Sequence, residues 1–192
     1  MPEMIAPARW QRRDTVRQAR ALLGTFLVRT GPRETVAAMI TEVEAYDGER
    51  DLACHAARGR TARTEVMYGP GGHWYVYLCY GVHEMLNLVV GPPGWPAAVL
   101  IRGVEGIEGP GRLTRAFGID RRFNAQPAVP ATGLHLEDRG IRIPARWVQA
   151  APRIGVAYAG PYWAALPWRF TINPAMPRMA RSARSTVRSG DR

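Results

Sequence analysis

Apolar and polar residues alternate with a period of two along much of this chain, and the segments that do so predict strands. From Ile40 to Tyr46 the order Ile-Thr-Glu-Val-Glu-Ala-Tyr places Glu42, Glu44 and Tyr46 on one face and Thr41, Val43 and Ala45 on the other. This run is the end of a strand that starts near Thr35, and Phe26 to Arg29 precedes it across the turn signal Thr30-Gly31-Pro32-Arg33, which predicts a hairpin. Trp74 to Tyr80 is aromatic and β-branched, Gly81 permits a turn, and Met85 to Val90 returns, so a second hairpin should carry Tyr80 and Val82 at its tip. Ala97 to Arg102 adds a strand on which Ala98, Leu100 and Arg102 share a face, and further strands are expected near Leu134 to Leu136, Gly140 to Ile143 and Arg169 to Ile172. Helical spacing is confined to Asp14 to Leu23, with Asp14 as N-cap, Val16, Ala19 and Leu23 as its stripe and Gly24 as its stop, and to a short piece from Arg112 to Phe117. The first eight residues and those from Pro174 onward lack core-forming character and are expected to be disordered. The predicted architecture is a mixed α+β single domain over residues 1–173, a curved antiparallel sheet with peripheral helices and a protruding hairpin, followed by a basic tail at 174–192.

Composition narrows the class. With 192 residues at 46% hydrophobic content there is enough apolar surface for one well-buried core. The formal charge of +10 points to a polyanionic partner, nucleic acid first and an anionic membrane surface second. There is no lysine, so all 26 basic residues are arginine and chemistry through a lysine Schiff base is excluded. Arg58, Arg60 and Arg63 sit among small residues, as in a loop that touches phosphates or simply a solvated loop. The chain shows neither a membrane-length apolar run nor a leader pattern at its start, which predicts a cytoplasmic protein. Cys54 and Cys79 are too few for a disulfide framework and are expected as free thiols.

Candidate chemistry gathers between Ile40 and His55, where the strand ends at Asp47-Gly48 and the acids Asp47, Glu49 and Asp51 follow. Glu44 could be a general base or a salt-bridged strand glutamate. Tyr75, Tyr77 and Tyr80 could stack on bases or fill a core, the core being the preferred place for Tyr75, and Asn87 could read a base edge or serve as a core-edge amide. In His83-Glu84-Met85-Leu86-Asn87 the asparagine stands where a zinc-protease helix needs its second histidine, so no metal is expected. Gly69-Pro-Gly-Gly72 lacks the lysine and hydroxyl residue of a phosphate loop. Met1-Pro2-Glu3 is similar to the start of formamidopyrimidine-DNA glycosylases, but their lysine and four-cysteine zinc finger are missing.

Taken in order, Glu42-Val-Glu44-Ala-Tyr46, Asp51-Leu-Ala-Cys-His55, Tyr75-Val-Tyr77-Leu-Cys-Tyr80-Gly81, Asn87 and Val99-Leu-Ile-Arg102 resemble the alkyladenine (3-methyladenine) DNA glycosylase family. The likeness runs from about Leu22 through Gly109-Pro-Gly-Arg-Leu113 to Phe170, including Arg153-Ile-Gly-Val156 and Pro167-Trp-Arg-Phe170. It implies a monofunctional enzyme that rotates a damaged purine out of double-stranded DNA and hydrolyses its N-glycosidic bond, leaving an abasic site. Tyr80, with Val82 beside it, matches the intercalating wedge. The extruded base would lie between Tyr77 on one side and Tyr46 with His55 on the other. Glu44 matches the base that activates water, and Arg102 the residue that holds this water and the neighbouring phosphate. Asn87 and Leu100 belong to the pocket wall, and Arg58, Arg60, Arg63 and Arg112 to contacts with the DNA backbone. No cofactor is implied, and a monomer is expected. The connection from Arg102 to Gly109 is shorter than the helical excursion of family members, Val82 stands where a methionine is usual, and Arg112 replaces a lysine. Two rival readings stand beside this one: a noncatalytic binder of distorted DNA or RNA that uses the same basic surface, and a zinc-containing glycosylase with a proline nucleophile.

Overall fold

Residue Trp74 shows why the strands gather as they do: its indole is fully buried among Leu27, Leu88 and Leu136, and its N–H donates to the Leu134 carbonyl at 2.9 Å. The computed structural model describes residues 2–32 and 34–176. Ten strands appear among them, β1 (Glu3–Met4), β2 (Phe26–Thr30), β3 (Thr35–Asp47), β4 (Trp74–Cys79), β5 (His83–Val90), β6 (Ala97–Val104), β7 (Ile107–Glu108), β8 (Leu134–Asp138), β9 (Val148–Ala151) and β10 (Arg169–Ile172). The helices are α1 (Thr15–Leu22), α2 (Pro110–Ala116) and α3 (Pro161–Ala165), so the domain is mixed α+β as expected. Pairing is antiparallel throughout, in the order β1-β8-β2-β3-β6-β5-β4, with β10 joining β3 and β9.

The long strand β3 organises the rest. Its first half pairs with β2 from Thr35 to Met39, and its second half runs between β6 and β10, where Glu44 faces Leu100 on one side and Arg169 on the other. Alternation then separates two environments. Val43 and Ala45 join the main core with Ala19 and Leu22 of α1, Leu113 of α2, and Val99 and Ile101 of β6. Glu44 and Tyr46 turn to the opposite face, which the segment after β3 and the stretch from Pro152 to Trp163 cover.

Several expectations are corrected. Residues 2–8 are ordered: β1 pairs with β8, Ile5 is buried, and the segment continues into a 3-10 turn that buries Trp10, because two large apolar side chains suffice to anchor a short extension. Gly140 to Ile143 is not a strand: β1 and β2 already flank β8, and Ile141 and Ile143 pack as an irregular segment against the core. Helix α1 buries Thr15, Gln18, Ala19 and Leu22, a face turned slightly from the expected stripe. The basic tail was expected from residue 174, yet Met176 is buried in the core; positions 177–192 lie outside the described residues.

Candidate active site

Two compensating bulges aim the carboxylates. Between β3 and β6 the register passes from Ile40–Val104 to Glu42–Gly103 and then to Val43–Ile101, so Thr41 is the extra residue on one strand and Arg102 on the other. Glu42, Glu44, Leu100 and Arg102 thereby keep a common face. The Arg102 Nε donates to Glu42 at 3.2 Å and its Nη1 lies 3.5 Å from Glu44, while Arg169 from β10 reaches the same Glu42 oxygen at 3.1 Å. Glu42 is thus a structural partner of two arginines, and Glu44 is the carboxylate with oxygens directed elsewhere.

Glu44 is completely buried. One oxygen accepts from the backbone N–H of Ile154 at 2.8 Å and the other from the Tyr46 hydroxyl at 2.8 Å. Burial pushes its pKa above the usual carboxylate range, and Arg102, the Ile154 N–H and the Tyr46 hydroxyl pull in the opposite direction. The balance of these influences is upward, with burial the largest.

Next to Glu44 is a cavity lined by Tyr46, Ala53, Cys54, His55, Met67, Tyr75, Tyr77, Asn87, Ala98 and Tyr158. Its walls come from β3, β4, β5 and β6 and from the 3-10 turn His55–Arg58, so the chain after Gly48 does fold back over the strand face. His55 meets Tyr77 edge-on at 4.7 Å between ring centroids, and Tyr75 lies 5.3 Å from Tyr77. His55 and Tyr77 therefore form one wall, whereas the sequence reading set His55 with Tyr46 against Tyr77. Tyr75 is buried in a hydrophobic cluster, as the sequence reading preferred, and it also joins this wall, its hydroxyl pairing with the His55 Nδ1 at 2.9 Å. Burial, then the charges of Arg63 and Arg58, bring the His55 pKa down to about 4, which makes the imidazole neutral at pH 7. Burial pushes the Cys54 thiol up to about 12, so it is an inert part of the lining.

Asn87 is buried and its amide nitrogen donates to the carbonyls of Tyr75 at 3.1 Å and Met85 at 3.3 Å. Both partners are acceptors, which fixes the amide orientation and turns Oδ1 away from them. Leu100 is buried one register position from Asn87 and Glu44, on their face of the sheet, but it is not part of the cavity lining.

Three acids, one ending β3 and two following it, divide their tasks. Asp47 accepts from Thr15 and Glu49 from the Tyr68 hydroxyl, while Asp51 is fully buried against an equally buried Arg153. Arg153 makes two bonds to that carboxylate and a further one to the Ala45 carbonyl at 2.9 Å, and Asp51 also accepts the N–H groups of Asp47 and Ala53. The guanidinium stacks between the rings of Tyr46 and Trp168, 4.9 and 5.1 Å from their centroids. Arg153 sets the position of Tyr46 and, through the next residue, of the Ile154 N–H. Sequence reading named the segment Arg153 to Val156 without giving it this task.

The second hairpin forms as expected, with Cys79 paired to His83. Its turn has Tyr80 at φ 49° and Gly81 at φ 71° with the Val82 N–H bonded to the Cys79 carbonyl, the arrangement of a type I′ turn. Tyr80 is 95% exposed and Val82 68% exposed. Of the arginines assigned to phosphates, Arg58 is exposed, Arg60 holds Glu65 through two bonds, and Arg63 lies over the Tyr77 ring at 4.8 Å, at the mouth of the cavity. Arg112 is exposed on a separate cleft that begins at Glu42 and Arg169. No group of three or more His, Cys, Asp or Glu side chains suited to a metal ion occurs among the described residues.

A family's sequence model, that of methylpurine-DNA glycosylase, matches residues 9–109 and 105–175, and its two segments meet at the connection that follows Arg102. The chain belongs to the methylpurine-DNA glycosylase family. By that membership it is a DNA glycosylase, a hydrolase of DNA repair. It is 45% identical over 176 residues to a protein of Anaeromyxobacter dehalogenans, covering 88% of this chain and 84% of that one. It is 45% identical over 175 residues to one of Myxococcus xanthus, covering 86% and 89% of the two chains. A protein of the archaeon Methanocella arvoryzae is 44% identical over 186 residues, covering 86% and 91%. All three carry the provisional name 3-methyladenine DNA glycosylase. No helix among the described residues is long and apolar enough to cross a membrane.

Proposed function

We propose that this chain is a monofunctional glycosylase of base-excision repair that removes alkylated purines from duplex DNA by attack of a Glu44-activated water. The observation that carries this reading is Glu44 itself: a fully buried carboxylate, hydrogen-bonded to Tyr46 where that tyrosine lines an aromatic cavity. Glu42, by contrast, spends one oxygen on two cations, Arg102 and Arg169, as a structural glutamate would.

The reaction follows from these positions. Alkylation at a ring nitrogen leaves the purine cationic, which weakens the bond to C1′ and favours stacking on tyrosine faces. The flipped base enters between Tyr46 and the wall of His55 and Tyr77, and Asn87 at the cavity end excludes the exocyclic amine of normal guanine by filling its place. As the C1′–N bond breaks, its electron pair leaves with the base, which departs neutral, and positive charge develops on the sugar. Water adds to C1′ and gives its proton to Glu44, while Arg102 holds the phosphate side of the site. Tyr80 and Val82 fill the gap in the stack. Exposed Arg58 and Arg112 meet the DNA backbone, with Arg60 held in place by Glu65. With no lysine to form an imine, the product is an abasic site. The enzyme acts as a cytoplasmic monomer on its DNA partner and needs no cofactor.

The test is base release from duplexes carrying one 3-methyladenine, 7-methylguanine, hypoxanthine or ethenoadenine. Release of an alkylated purine by the wild type is expected, with Glu44→Gln slowed by about two orders of magnitude or more while lesion binding is retained. Absence of abasic sites on all four would overturn the assignment, and full activity of Glu44→Gln would remove Glu44 as the base.

A further inference from the structure

Among the groups around the cavity, one hydroxyl has no acceptor for its proton among the described residues. The Arg63 Nη2 stands 3.4 Å from the His55 Nε2, and a guanidinium can only donate. Nε2 is therefore the acceptor of that contact. A neutral imidazole carries its single proton on the other nitrogen, so Nδ1–H donates to the Tyr75 oxygen 2.9 Å away. This neighbour gives its proton to the oxygen, and no protein acceptor for the Tyr75 O–H occurs among the described residues. Tyr75 is 2% exposed and lines the cavity. A buried donor without a partner is costly, and here the open side is the place where the base would sit.

We propose that Arg63, acting through the fixed tautomer of His55, orients the Tyr75 hydroxyl to donate into the cavity, so that the pocket selects purines presenting a carbonyl oxygen or an unprotonated ring nitrogen to that wall. Arg63 and His55 are positioning residues, and Tyr75 is the one that touches the base. This rests on the cavity being the base pocket. It changes the role of Arg63, which the spacing of arginines placed among backbone contacts, and it gives Tyr75 a function apart from packing.

Two measurements test it. In nitrogen-15 spectra of histidine-labelled protein, with the His55 signals assigned by their loss in His55→Gln, the wild type should show a protonated Nδ1 and an unprotonated Nε2. In Arg63→Met the two tautomers should mix. A protonated Nε2 in the wild type overturns the proposal. The second measurement is single-turnover release of 3-methyladenine, whose N1 and N7 are acceptors. Tyr75→Phe and Arg63→Met should each lose roughly 3- to 10-fold, the worth of one neutral hydrogen bond, and the double variant should lose no more than either alone. Losses that multiply would mean independent roles and end the relay. If no variant and no wild-type protein releases base, the glycosylase reading fails, while the spectra still decide the tautomer.

Discussion

The Tyr46 hydroxyl donates to the Glu44 carboxylate at 2.8 Å, which makes one wall of the aromatic cavity and the proposed base a single hydrogen-bonded unit. Tyr46→Phe keeps the ring but removes a bond that favours ionised Glu44. The Glu44 pKa, already raised by burial, should rise further. Because only ionised Glu44 takes the proton from water, activity is lost as pH falls through that pKa, and the acid limb should move to higher pH. Single-turnover profiles from pH 5 to 9 are expected to show a several-fold loss at pH 6.5 that shrinks toward pH 9. An unshifted limb would separate the two residues.

Exposed Tyr80 has a left-handed backbone, φ 49°, which costs a side chain with a Cβ about 1–2 kcal/mol. Tyr80→Asn places asparagine before Gly81, the pair that type I′ turns favour. The variant should be more stable by about 1 kcal/mol in urea unfolding yet release bases at least tenfold more slowly from duplex DNA. A tyrosine kept for folding would give the opposite sign of stability change.

Asp51 and Arg153 are both fully buried, so removing one leaves the other's charge uncompensated. Asp51→Asn should cost about 3 kcal/mol, a large part of the stability of a domain this size, and should also slow base release through the displaced Tyr46 and Ile154. The pair Asp51→Asn with Arg153→Met should be less destabilised than the sum of the single changes, as measured by denaturant midpoints.

The folded protein holds His55 at a pKa of about 4, below its value of 6.5 in the unfolded chain. Between these values the unfolded state binds more protons, so stability should fall as pH drops from about 6.5 to 4 and this contribution should level off below. His55→Gln should flatten that part of the stability curve measured at constant salt.

Local sequence carried much of this. The period-two runs placed most of the paired strands, and Asp14 caps α1 through its side chain as its position implied. The order of Glu44, Tyr46, His55, Tyr77, Tyr80 and Asn87 gave the family. What stayed hidden depended on partners far apart in sequence. Arg153 meets Asp51 across 102 positions, and the N–H that binds Glu44 comes from 110 positions away. The paired bulges at Thr41 and Arg102 have no local signature, since a bulge is a mismatch between two strands and belongs to neither. Arg60 and Arg63 look alike in the chain; a nearby Glu65 takes one and the Tyr77 ring the other.

The Ile154 N–H that completes the Glu44 site bears on the order in which a ribosome makes the protein. By the time Val90 and Val104 have been added, the Tyr80 turn, Tyr46, Tyr75 and Tyr77 and both carboxylates exist and can pair as strands. Glu44 still lacks the donor from Ile154, and Tyr46 lacks the guanidinium of Arg153. Those arrive with the stretch from Pro152 to Trp163, between β9 and β10, that covers Glu44 and Tyr46. On the proposed mechanism, a nascent or truncated chain would hold the proposed means of gripping distorted DNA before it holds the means of hydrolysing the glycosidic bond, and hydrolytic competence would be the last property the growing polypeptide acquires.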